Sequence, residues 1–105
     1  METARINDVR EFSSEKFLKK TLCSTDKSII NLLCFQAGQE LALHKHPNSD
    51  EIFYIVEGAA DMTVGQEKKT VGNNTVVLGP ANIEHGIKNH GTTPLVVLAI
   101  QAPKP

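Results

Sequence analysis

The sequence contains no apolar run near the roughly 18 residues that a membrane-spanning helix requires, which excludes a helical membrane protein. Its opening residues, Met1-Glu2-Thr3-Ala4-Arg5, carry an acid and no apolar core, so they do not read as a signal peptide. A cytoplasmic location is the expectation. Charge of one sign is also missing: 11 Lys and Arg against 12 Asp and Glu leave a formal net charge of -1. With the basic residues scattered, nothing resembles a footprint for nucleic acid, and no nucleic-acid or membrane partner is expected. Only two cysteines are present, Cys23 and Cys34, in separate segments and with no CxxC pair. Cys34 lies in the apolar run Ile29 to Phe35 and reads as a buried, inert thiol; a reducing compartment argues against a disulfide. No GxSxG, Walker loop or nucleotide fingerprint occurs, so nucleophile-elbow and nucleotide chemistry are unsupported. No stretch carries a sustained helical apolar stripe.

What is present is a series of short β-rich runs punctuated by turn residues. They fall at Ser28–Gln36, Leu41–His46, Glu51–Val56, Ala60–Val64, Lys68–Val71, Thr75–Leu78, Glu84–Asn89 and Leu95–Gln101. Between them stand Ala37-Gly38, Pro47-Asn48-Ser49-Asp50, Gly65-Gln66, Gly72-Asn73-Asn74, Gly79-Pro80 and His90-Gly91. Eight or so strands at this spacing in 105 residues predict an all-β barrel or jelly-roll sandwich, as a single domain spanning 1–105. The barrel core runs from about 28 to 101, behind a short N-terminal extension. Ser13 to Lys20 reads equally as one helical turn or as the start of a strand. Runs such as Ile52-Phe53-Tyr54-Ile55-Val56 are apolar on both faces, where a solvated outer face would alternate with polar residues. The outside must therefore be covered by the N-terminal segment or by a second subunit, and a homodimer is expected.

Against this frame four residues fall at metal-ligand spacing. His44 and His46, two apart on one strand, project from one face with Cα atoms roughly 6.5–7 Å apart. Glu51 opens the next strand after a four-residue turn, which brings its carboxylate beside them. His85, after the Pro80 turn, supplies a fourth donor from across the barrel. Singly, each has a blander reading: an exposed HxH pair, a solvated strand-start Glu, a hydrogen-bonded core histidine. Together they suit one divalent transition ion, Mn, Fe, Co, Ni, Cu or Zn. Phe53 and Ile55 share the parity of Glu51 and are expected to line a substrate pocket with Met62, Leu78 and Ile87. Val64 and Ile83 are further candidates for that lining. Glu40, with the parity of His44, either approaches the base of the site or is solvated. Asn89 shares the parity of His85 and reads as a structural or supporting group, His90 as a surface turn residue, and Tyr54 as a packing or dimer contact.

The spacing Gly38, five residues, His44, one, His46, four, Glu51, six, Gly58 resembles the first motif of the cupin superfamily. The run Pro80-Ala81-Asn82-Ile83-Glu84-His85-Gly86-Ile87-Lys88-Asn89 resembles the second, with Asn74 and Asn82 where the family carries glycine. Asparagine tolerates a left-handed backbone, so those turns can survive. The resemblance covers about Ser28 to Gln101 and keeps all four ligand positions. It implies a cupin jelly-roll β-barrel with the ion inside its mouth, and a small-molecule ligand or substrate. Cupins with this ligand set resemble dioxygenases, decarboxylases, isomerases and lyases. The expected function is a metal-dependent dioxygenase, or a lyase or isomerase, acting on a small oxygenated molecule. Glu51 is then the candidate for catalytic proton transfer. A non-catalytic binding or sensor module with a structural metal is the alternative.

Overall fold

The computed structural model describes all 105 residues, Met1–Pro105. One helical turn, α1 (Ile6–Val9), precedes nine strands. These are β1 (Leu18–Ser24), β2 (Ile29–Phe35), β3 (Glu40–His44), β4 (Asp50–Glu57), β5 (Ala60–Val64), β6 (Glu67–Val71), β7 (Thr75–Gly79), β8 (His85–Asn89) and β9 (Leu95–Ala102). All pairings are antiparallel, in a five-stranded sheet ordered β1-β2-β9-β4-β7 and a four-stranded sheet ordered β3-β8-β5-β6. This is the jelly-roll arrangement the turn spacing predicts.

The strands owe their faces to alternation. In β4, Glu51, Phe53 and Ile55 are buried while Ile52 is exposed and Tyr54 half-buried between them. The inward residues of both sheets meet in one core, including Leu33, Phe35, Phe53, Ile55, Met62, Ile87, Leu95 and Val97. Asn74 and Asn82 both adopt φ of 64°, the left-handed backbone expected where the motif glycines are replaced. Of the two readings of Ser13 to Lys20 the strand start holds: β1 begins at Leu18 and adds a ninth strand along β2, while the one helical turn sits earlier, at Ile6–Val9. One boundary differs from the sequence reading. β3 ends at His44, so His46 lies in the following loop rather than on the strand.

The apolar outer face has a physical explanation. Leu32 and Cys34 on β2 and Val96 on β9 point away from the barrel, and Ile6, Val9 and Phe12 of the N-terminal segment pack over them. Burial there pushes the Cys34 thiol up from its ordinary range, which keeps it protonated and inert. Arg10 fastens the segment with two hydrogen bonds to Glu57, of 2.8 and 3.2 Å. The hydrogen bond from Arg10 holds the Glu57 carboxyl below the ordinary glutamate range, against an opposing push from burial. A carboxyl with a lowered folded pKa stabilises the fold above its unfolded pKa, and that contribution is lost as pH falls through the folded value. Arg10→Ala should therefore lower stability by about 1 kcal/mol or less at pH 7, since the pair is partly exposed. Urea unfolding at several pH values checks this: the gap between wild type and variant should narrow once Glu57 is protonated.

Candidate metal centre

Each of the four donors is delivered by a different backbone device. β3 pairs Leu41 with Ile87 and then His44 with His85, so Ala42 and Leu43 together face Gly86. That is a β-bulge. Simple alternation from inward Leu41 would point His44 outward; the extra residue turns it in. Gly86 permits the close approach, because a Cβ there would lie 3.1 Å from the Leu41 carbonyl oxygen. The bulge also corrects the parity assigned to Glu40. Its register partner is Lys88 on the outer face, so Glu40 is solvated and remote from the site.

The carbonyl of Ala42 lies 2.8 Å from His44 Nδ1, and that of Ile83 lies 3.2 Å from His85 Nδ1. A carbonyl can only accept, so both Nδ1 atoms donate, which leaves Nε2 as the ring atom that each histidine can offer to an ion. Glu51 is 5% exposed on β4, and its Oε1 stands 2.9 Å from His85 Nε2 and 3.3 Å from His46 Nε2. His46 is held from the loop, where its carbonyl accepts a 2.8 Å hydrogen bond from the Asn82 amide. Burial lowers the His46 pKa, with the Glu51 charge opposing and the other two histidines adding to the shift. The imidazole is thereby kept in the neutral form that ligates. One donor atom from each of His44, His46, Glu51 and His85 falls within 4.8 Å of all the others. Donors about 2.1 Å from a common ion sit roughly 3.0–3.4 Å apart when adjacent. The two contacts of Glu51 Oε1 lie near that range, and the chemistry of the donor set suits a transition metal.

Two supporting features carry no sequence signal of their role. Gly79 reads only as a turn residue, yet it is the register partner of Glu51, and a Cβ there would lie 3.1 Å from His85 Nδ1 and 3.4 Å from Phe53. The empty position makes room for the His85 ring. The bulge at Ala42-Leu43 is equally silent, since nothing in the run Glu40 to His44 marks it.

Of the residues expected in the pocket, Phe53 adjoins the centre, its ring centroid 5.4 Å from that of His85. Ile55, Met62 and Ile87 are buried in the core behind it. Leu78 stands elsewhere: it pairs with Ile52 on the outer face and is 54% exposed, while Val77 takes the inward position opposite Phe53. Leu78 borders only a small cavity at the edge of β7, of about 170 Å³. Asn89 is structural, donating to the carbonyls of Phe35 and Thr93. His90 pairs with Asp61 on the surface, and Tyr54 donates to Asn74.

Comparison with known proteins agrees with the geometry. The family model described as "Cupin domain" matches residues 31–101. An uncharacterized protein of Methanocaldococcus jannaschii, MJ1618, is 39% identical over 66 residues, 63% of this chain and 53% of that one. A mannose-1-phosphate guanylyltransferase of Salmonella muenchen is 32% identical over 79 residues, covering 75% of this chain but 17% of the enzyme. The chain thus spans about half of the first relative and a small part of the second. Among solved structures, the protein TT1209 from Thermus thermophilus superposes with a TM-score of 0.96 at 27% identity, over the full length of both chains.

Proposed function

The chain belongs to the cupin domain family, and on that premise we propose that it is a metal-dependent enzyme acting on a small oxygenated molecule, as a dioxygenase or otherwise as a lyase or isomerase. The observation that carries this reading is the convergence of three imidazoles and one carboxylate at the barrel mouth. Four protein donors leave room on an ion that takes five or six ligands, and an open position separates a catalytic from a closed structural site. When bound, the ion supplies Lewis-acid polarisation and, if redox-active, electron transfer.

The chain's own residues supply the rest. His44 and His85 are fixed in tautomer by backbone carbonyls, so they orient the site without rearranging. Phe53 walls one side and limits water. Glu51, buried beside His85 Nε2, is the group placed to take up and return a proton. Elemental analysis with activity screening tests the reading. Fe, Mn, Cu or Ni near one ion per chain supports it. Stoichiometric Zn that resists chelators and excludes vicinal-oxygen ligands would overturn it and leave the metal a structural role.

We also propose a cytoplasmic homodimer. The N-terminal segment covers β2 and β9, but Ile52, Val76 and Leu78 on the outer face of β4 and β7 remain exposed. Light scattering at micromolar concentration should give twice the chain mass of 11.5 kDa. A monomer mass contradicts it.

A further inference from the structure

Gln101 is the one side chain in the protein with a buried polar atom that lacks a hydrogen-bond partner: its Nε2 is unpaired. The residue is 7% exposed. Leaving such a donor unmet is unfavourable, and native proteins rarely bury one without a partner from the protein, the solvent or a ligand. Its location supplies one. Along β9, Leu95, Val97 and Ala99 face the core, and alternation puts Gln101 on the same inward face. Across the sheet, Gln101 is the register partner of Glu51, which in turn pairs with Gly79. His85 lies over Gly79. Glu51 is therefore flanked by His85 toward β7 and by Gln101 toward β9, with directly opposed side chains about 5 Å apart. His85 Nε2 and His46 Nε2 already share Oε1 of Glu51, and no group of the protein accepts a hydrogen bond from Gln101 Nε2.

We propose that Gln101 is a specificity-determining residue whose Nε2 donates a hydrogen bond to an oxygen of the ligand held at the His44, His46, Glu51 and His85 cluster. The ligand class that follows is a small molecule with two oxygens for the ion and a further carbonyl or carboxylate oxygen as acceptor. This rests on the metal-site reading above. A site built around a buried donor discriminates strongly against analogues that lack the matching acceptor, because the donor is then left unpaired.

The test compares two probes on cobalt-loaded protein, followed by visible absorption and calorimetry. Oxalate offers two oxygens to the ion and two more as acceptors; acetohydroxamate chelates without a spare acceptor. Gln101→Met should weaken oxalate about tenfold or more, as expected for a hydrogen bond to a charged acceptor, and leave acetohydroxamate and cobalt content unchanged. Gln101→Glu should weaken oxalate further by placing a carboxylate against it. The ligand-free Gln101→Met protein should be at least as stable as wild type, since an apolar group replaces an unmet donor. Equal oxalate affinity in wild type and Gln101→Met overturns the proposal and leaves the metal site standing. Loss of cobalt, or a large drop in ligand-free stability, also overturns it by showing a structural role. If wild type takes up no cobalt, the metal-site reading fails and the proposal with it; if it holds cobalt that neither probe perturbs, the proposal alone fails.

Discussion

Phe53→Ala is expected to lower folding stability by about 3–5 kcal/mol, the range for truncating a fully buried aromatic side chain. Phe53 is 0% exposed, belongs to the main core and stacks edge-on against His85. Its neighbours are delivered by two separate sheets, so the cavity left behind cannot close without moving one sheet against the other. Loss of transfer free energy and of dispersion contacts therefore add. Denaturant unfolding measures the change, as a fall in midpoint at nearly constant slope. A loss under about 1 kcal/mol would show that the barrel interior is loosely packed around the site.

The second large effect concerns the ion. His85→Ala should reduce metal affinity by at least about 100-fold, beyond the 10–100-fold that loss of a supporting partner brings. His85 is the most buried of the four donors, and its Nε2 meets Glu51 at 2.9 Å, so its removal also leaves the Glu51 carboxylate without its nearest partner. Wild-type protein should gain about 2.7 kcal/mol of stability at a free metal concentration about 100 times the dissociation constant. Under the same conditions the variant should gain almost none. Thermal unfolding with and without metal reads both. An unchanged metal-induced shift in His85→Ala would remove this residue from the site.

Much of the fold was legible because its signals are local. The Gly, Pro and Asn clusters between short β-rich runs marked the turns without any knowledge of contacts. Asn74 and Asn82 were readable as left-handed turn residues for a steric reason, and both have φ of 64°. The donor set was legible through spacing and resemblance. Its mechanism of delivery was not. A two-residue strand interval predicted that His44 and His46 share a face; in the protein a bulge turns His44 inward and a loop carries His46. Bulges depend on the partner strand, here on the missing side chain of Gly86, which no window of β3 reveals. Parity failed for Glu40 because of the same bulge. It failed for Leu78 because the phase of β7 is set by pairing with β4 rather than by its own apolar run. The role of Gln101 was invisible for a related reason: as the last polar residue of an apolar strand it reads as a strand end, and only register places it beside Glu51.

The central claim is that His44, His46, Glu51 and His85 together hold one ion. Metal content, measured by elemental analysis on protein purified without a metal-affinity tag, tests it most directly in wild type and in His44→Ala and His85→Ala. Wild type should carry a single transition-metal ion per chain, and each variant should lose most of it. Unchanged metal content in both variants would contradict the claim.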